Sequence, residues 1–324
     1  MWTDSAVGTI DARSTHSRTA LLAAATLSLI LAWPALTGPF VYEDLHYVQQ
    51  PGTWSLTPRA LLTWTLAGAS PFPAHLGNLL LHLACVGVFY VLALAWMRPL
   101  IAFAMTLIFL FHPLTSEAVY YVSGRGDLIA GLGVLGALAC YTYGERTWST
   151  VAGITVCGLC AMAAKDASAL CLIAVIPLCA WLSPVAASRS RLTSWLPPMV
   201  WVALGLCLLS LPLRLASWLW ICEQVGQAWH LIRLMILPVG QSIEAPILPD
   251  WQGPIGIIAA VGLFLTALSD WKRAPMALFG VSFLIAAFLP RILIDQLTPF
   301  PEPMHEHHAY VPLIGFLLSV GGLL

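Results

Sequence analysis

Two carboxylates stand side by side in the stretch GPFVYEDLHYV, Glu43 and Asp44, among aromatic and apolar residues. An apolar setting and a like-charged neighbour each raise a carboxyl pKa, which suits a general base that takes the proton of an attacking hydroxyl. A solvated loop pair would look the same. A second concentration lies in FHPLTSEAVYYVSGRGDLIAG, which carries His112, Glu117, Arg125 and Asp127. Arg125 offers a planar fork that fits a phosphate, or it pairs with Asp127 for structure alone. In AAKDAS, Lys165 and Asp166 need partners or water; Lys165 either adds a second charge to a phosphate or snorkels to the lipid headgroups. His230 and Arg233, one turn apart before LPVG, face lipid phosphate or solvent. In PMHEHHAYVP, His305, Glu306, His307 and His308 crowd together at a spacing that fits no structural zinc pattern. That segment reads as a substrate or phosphate contact, as a solvated turn, or as the place where His305 joins Asp44 on a divalent metal; no cofactor is firmly implied. His75, Asn78 and His82 share one helical face and suit hydrogen bonds between helices.

These groups stand out because the rest of the chain has so few. It is 59% hydrophobic and 9% charged, with a mean hydropathy of +0.85, whereas soluble domains carry roughly a quarter charged residues. Apolar windows recur at about 19–37, 75–97, 99–112, 127–144, 149–164, 167–186, 195–213, 254–270, 275–290 and 309–324. The expected fold is therefore all-α, a polytopic transmembrane bundle of about ten spans with the N-terminus inside. The apolar stretch 216–237 carries Glu223, Gln224, Gln227, His230 and Arg233, too many polar groups for a lipid-facing span, and is expected to lie along the interface. That choice puts Arg13, Arg18, Arg98, Arg146, Arg189, Arg191, Lys272 and Arg273 inside, as the positive-inside rule requires. Most acidic residues then fall outside, with the chemistry.

The expected organisation is a cytoplasmic segment 1–18 followed by one transmembrane domain 19–324, whose first outer loop is 38–74. The net charge of −1 gives no basic field for nucleic acid. All eight cysteines lie in apolar segments, against a secreted disulfide framework. Cys157 and Cys160 lack a second pair at zinc spacing and read as packing residues.

The order of motifs, FVYED, PAHLGNLLLH, FHPLTSEAVYYVSGRGDLIAG, AAKDAS, RLMILPVGQS and EHHAYVP, resembles the membrane half of transmembrane-and-tetratricopeptide O-mannosyltransferases and their bacterial relatives, which are C-type (GT-C) glycosyltransferases. The resemblance covers residues 38–316. It implies a GT-C fold and an inverting transfer of a mannose-like sugar from a polyprenyl-phosphate donor to an acceptor hydroxyl outside the cytoplasm, in a bacterial-type inner membrane. It implies Asp44 as base and Glu43 as the group orienting the acceptor or a metal. The donor contacts would come from His112, Glu117, Arg125, Asp127, Lys165, Arg233, Glu306 and His307. The chain departs from the family in three places: the family commonly has two aspartates at Glu43–Asp44, Ser-Lys-Glu at Ala164–Asp166 and Glu-Arg-Tyr at Glu306–His308. A titrating His307 thus stands in place of a permanent cation. The tetratricopeptide repeats, the family's usual means of engaging a protein acceptor, are absent from this sequence.

Two other classes compete. A transporter or flippase of lipid-linked substrates would place ionisable groups near the midplane of two related halves, and no such repeat is visible. A non-catalytic scaffold would keep the fold without the reaction.

Overall fold

The structure is a computed structural model that describes residues 13–40, 44, 70–144, 148–165, 169–182, 218–242, 248–249, 251–293 and 304–324. The regular elements among them are all helical: α1 (Arg13–Leu31), α2 (Trp33–Leu36), α3 (Pro71–Trp96), α4 (Pro99–Phe111), α5 (Ser116–Tyr120), α6 (Arg125–Tyr143), α7 (Trp148–Ala164), α8 (Leu172–Leu182), α9 (Trp218–Ile236), α10 (Gln252–Ser269), α11 (Pro275–Leu293) and α12 (Tyr310–Leu323), with 3-10 turns at Pro113–Thr115 and Glu306–Ala309.

Four of these, α3, α6, α10 and α11, are long and apolar enough to cross a bilayer, and α4 makes a fifth with its continuation, which is bent by 50° at Pro113. The described residues therefore hold four to five candidate spans against the expected ten. Two further apolar helices, α7 with 17 residues and α8 with 11, are shorter among the described residues. The window at 195–213 lies outside the described residues. Pro113 ends α4 for a local reason. A residue before proline is kept from the helical region, and His112 sits at φ −66°, ψ 126°.

Contacts place the ends of several helices. Ala74 and Asn78 at the start of α3 bond Arg125 and the 121 carbonyl, while Tyr143 at the end of α6 donates to Val91 O. Lys165, just past α7, meets Asp127 in the first turn of α6. Trp181 at the end of α8 packs on Trp271 beyond the end of α10, and Met97 packs on Gly321 of α12. The helices thus run up and down between a polar end, which gathers residues 74–78, 112–127, 165 and 304–309, and an opposite end marked by Arg98, Lys272 and Arg273.

Without water to expel between lipid-exposed helices, close packing must hold such a bundle. The α11–α12 pair shows how: added Cβ atoms at Gly315 and Gly322 would lie 2.5 Å from Leu284 N and 2.6 Å from Ala277 N, and one at Gly280 would strike the Ser319 backbone. These contacts fix an antiparallel register in which 277 faces 322, 280 faces 319 and 284 faces 315. On the outside, Ile258, Val261 and Leu265 of α10 leave large apolar surfaces uncovered, as a lipid-facing helix does. The chain is a membrane protein.

α9 behaves differently. Its Cys222, Val225, Gly226 and Trp229 lie against Gly253 and Gly256 at the start of α10, while Met235 O, near its other end, accepts from His112 Nε2. Both halves of α9 therefore meet the polar end of the bundle, and the helix lies across that end. Its inward face carries buried Gln224, Gln227 and His230.

Candidate active site

Asp44 is fully buried. Its Oδ2 and Oδ1 accept the Val122 and Ser123 amides at 2.9 and 2.8 Å, so this carboxylate holds the turn that leads into α6. Burial pushes its pKa up, against the pull of those two amides and of the nearby His75. Phe40 packs on the His75 ring at 5.8 Å between centroids. Glu43 lies outside the described residues.

Arg125 follows that turn immediately. Its Nε donates to Asn78 Oδ1 at 2.6 Å and its Nη2 to Ala74 O at 2.7 Å, while Asn78 Nδ2 donates to Tyr121 O at 2.6 Å. Gly77 leaves room for the guanidinium: a Cβ there would lie 3.3 Å from Nη2. Arg125 is 1% exposed and locks α3 to α6. It does not pair with Asp127 as one sequence reading allowed; Asp127 Oδ2 takes Lys165 Nζ at 2.6 Å instead. Lys165 is buried in that pair rather than snorkelling. His112 spends both ring nitrogens: Nδ1 accepts from Leu114 N at 3.2 Å and Nε2 donates to Met235 O at 3.1 Å. Of the face expected on α3, Asn78 and His82 do bond between helices, the latter to Tyr310 Oη at 2.8 Å.

Glu117 and the histidine segment meet across the same end. Glu117 Oε2 accepts the His307 amide at 2.7 Å and Oε1 faces His307 Nδ1 at 3.0 Å. Glu306 Oε1 accepts Ser242 N at 2.7 Å and Oε2 accepts Gln241 Nε2 at 2.8 Å. Burial raises both carboxyl pKa values, and the Glu117 charge raises that of Glu306 further. The three imidazoles cluster, His305 stacked on His307 at 5.6 Å and 7°, His308 tilted by 36° against His307 at 4.1 Å. Burial, helped by Lys165, His305 and Arg291, drives His307 well below its ordinary value, against the opposing charge of Asp127. With the ring neutral, Nδ1–H donates to Glu117.

Between these segments lies a cavity of about 200 Å³ lined by Ser116, Glu117, Tyr120, Tyr121, Gln241, Ser242 and Glu306. Carboxylates, hydroxyls and an amide beside two phenol rings can bind the hydroxyls of one sugar and stack on its face.

Part of this chain is similar to the Protein O-mannosyl-transferase TMTC2 of Mus musculus, with 34% identity over 113 residues, and to its Homo sapiens counterpart, with 33% identity over 117. Each match covers 32% of this chain and 14% of the relative. No protein-family model and no solved structure matches the chain.

The structure thus gathers Asp44, His112, Glu117, Arg125, Asp127, Lys165, Glu306 and His307 at one end of the bundle. Arg233 lies on α9 at the same end but on its exposed, outward face. Among the described residues, no group of three or more His, Cys, Asp or Glu side chains could hold a metal ion. Two groups were missed. Gln241 and Ser242, which close the motif RLMILPVGQS but were not singled out as site residues, line the cavity. Arg291 belongs here too, since its charge acts on His307 and His308. A cation in the last turn of an otherwise apolar helix was the available signal.

Proposed function

We propose that the chain is a GT-C-type glycosyltransferase that moves a mannose-like sugar from a polyprenyl-phosphate donor to an acceptor hydroxyl on the extracytoplasmic side of the membrane. One observation carries this reading: ionisable residues scattered from 44 to 307, in a chain nearly devoid of charge, converge on one end of the bundle beside a cavity lined by two carboxylates. Likeness to an O-mannosyl-transferase over about a third of the chain supports it. The cavity is smaller than the ~300–1,000 Å³ of drug-sized pockets, which suits a donor that carries one sugar. In this reading, the acceptor oxygen attacks the anomeric carbon, the bond from that carbon to the phosphate oxygen breaks, and the lipid phosphate leaves with the electron pair. The acceptor proton passes to Asp44. Each Asp44 oxygen keeps a lone-pair site beyond the amide it accepts, the amides fix its aim, and burial makes it a stronger base than a solvated aspartate. Because Asp44 is fully covered, its cover must move before the acceptor reaches it. Glu117 and Glu306 bind sugar hydroxyls. Charges already balanced inside the protein, Lys165 on Asp127 above all, hold the site rigid at the moment of transfer.

A second reading has its own observation. Asp44, Glu117 and Glu306 all spend their oxygens on protein donors, and a non-catalytic scaffold would need no more. Reconstituted protein, given a polyprenyl-phosphate mannose and a pool of hydroxyl acceptors, decides. Transfer by wild type and a loss on the order of 10³-fold in Asp44→Asn, with the variant still monodisperse in detergent, is the expected result. Full turnover in a folded Asp44→Asn rejects the base; no transfer by wild type to any acceptor favours the scaffold.

A further inference from the structure

Exposed apolar side chains gather where one wall of the cavity begins. At the end of α9, Ile236, Leu237 and Val239 are 68%, 66% and 69% exposed. Gln241 and Ser242, which follow at once, line the cavity and bond Glu306 at 2.8 and 2.7 Å. The backbone makes this passage along a fixed path. Leu237 N closes the last helical turn on Arg233 O, Val239 N donates back to Leu237 O at 2.8 Å, and Gly240 takes φ +83°, a value that suits glycine. Beneath the strip, Met235 is buried and its carbonyl accepts from His112, so the strip is fastened to the bundle while its apolar side chains stand clear of it. Exposed aromatic rings show the level at which it lies. Trp33, edge-on to Phe72 at 6.1 Å, and Trp251 stand at the polar end, and Trp148 and Trp181 stand at the other, as the aromatic belts of a membrane protein do at its two interfaces. Trp251 leads into α10, whose Gly253 packs on Cys222 of α9, so α9 and its apolar end lie at the headgroup level of the polar side.

We propose that Ile236, Leu237 and Val239 form the platform on which the isoprenoid chain of the donor lies while its sugar occupies the cavity, a role that rests on the reading of the chain as a lipid-phosphate-dependent transferase. Such a donor is polar at one end and apolar at the other, with a single phosphate between. It therefore needs a polar pocket and an apolar surface side by side. Val239 stands two residues from Gln241, at most ~7 Å along the backbone, so the apolar platform and the hydrogen-bonding wall are adjacent. The sugar then points toward Glu117 and Glu306, and the chain leaves across the end of α9 into the bilayer. Burying the three exposed side chains under an isoprenoid removes apolar surface from the interface and adds affinity that a chain-free sugar phosphate lacks.

The test measures binding of farnesyl-phosphate mannose, and of mannose 1-phosphate as the chain-free probe, to the full chain in lipid nanodiscs. The triple variant Ile236→Ser/Leu237→Ser/Val239→Ser is expected to bind farnesyl-phosphate mannose about 10-fold more weakly and mannose 1-phosphate as wild type does. Unchanged affinity for farnesyl-phosphate mannose would make the strip a contact for bulk lipid and overturn the proposal. Equal weakening of both probes would place the effect in the cavity wall and overturn it too. If the triple variant does not fold, Val239→Ser decides: a loss of about 3-fold on the lipid probe alone supports the platform, and wild-type affinity overturns it. Strip-dependent binding without sugar transfer would leave the platform standing and sink the transferase reading. Transfer with an unchanged donor KM in the triple variant would sink the platform alone, and absence of any binding of either probe to wild type would sink both.

Discussion

At the scale of single residues, three carboxylates do the same structural task. Asp44 holds the 122 and 123 amides, Glu117 the 307 amide and Glu306 the 242 amide. Each ties a segment far away in sequence to the polar end, and a hydrogen bond to a charged group contributes ~1.5–3 kcal/mol. Yet burial raises the pKa of all three above their ordinary values, so the folded state holds protons more tightly than the unfolded chain does. The sign follows from linkage: where the native state binds more protons, stability falls as pH rises. The contribution is fully present below the unfolded carboxyl pKa and is lost as pH rises through the raised folded values. Between about pH 5 and about pH 7 histidines such as His307 and His308, whose pKa values are lowered, act with the opposite sign, so the carboxyl contribution is read as a difference: the Tm of wild type relative to the double variant Glu117→Gln/Glu306→Gln is expected to fall with rising pH in thermal unfolding in detergent. A difference that stays constant across that range would show that these two carboxyls do not hold their protons more tightly in the folded state.

At the scale of elements, the α11–α12 pair sets the geometry of the polar end, because its register decides what Arg291 faces. No side chain larger than hydrogen fits at Gly315, where a Cβ would meet Leu284 N at 2.5 Å. Gly315→Ala must push the helices apart or slide one along the other, at a cost of ~1–3 kcal/mol. The expected readout is a lower Tm together with loss of disulfide formation between cysteines placed at 291 and 308, a pair that should cross-link in the otherwise unaltered chain. An unchanged cross-link in Gly315→Ala would mean that the glycine contact does not set the register. Much at this scale was legible in the sequence. Pro113 announced the end of α4, and the polar residues of α9 set it apart from the spans, because each of those signals is local. The gathering of Glu117, Arg125, Asp127 and Lys165 was legible through their rarity in an apolar chain. What each one touches was not: Asp127 chose Lys165, 38 residues away, over the neighbouring Arg125, and Arg291 acquires meaning only through a register written in glycines of two helices. The described residues hold four to five candidate spans of the expected ten, and the apolar window at 195–213 lies outside them.

At the scale of the whole molecule, the question is which side of the membrane the polar end faces. The contacts that run the helices up and down put Arg98, Lys272 and Arg273 at the end opposite the cavity, and cationic loops stay in the cytoplasm. The cavity end, with Gln241 and Glu306, should then face away from the cytoplasm, where a polyprenyl-phosphate sugar can serve as donor and a soluble nucleotide sugar cannot. Two exposed positions test this: Gln241, on the rim of the cavity, and Arg273, whose side chain is 88% exposed at the other end. In intact cells, a membrane-impermeant maleimide is expected to label Gln241→Cys directly and Arg273→Cys only after permeabilisation, in a background where the native cysteines are replaced by serine. The reversed pattern would turn the site toward the cytoplasm and remove the reason for a lipid-linked donor. Labelling of both positions from one side would be more damaging, because the alternation of helices between two ends would itself be wrong, and with it the convergence of Asp44, Glu117 and Glu306 on which the proposed transfer depends.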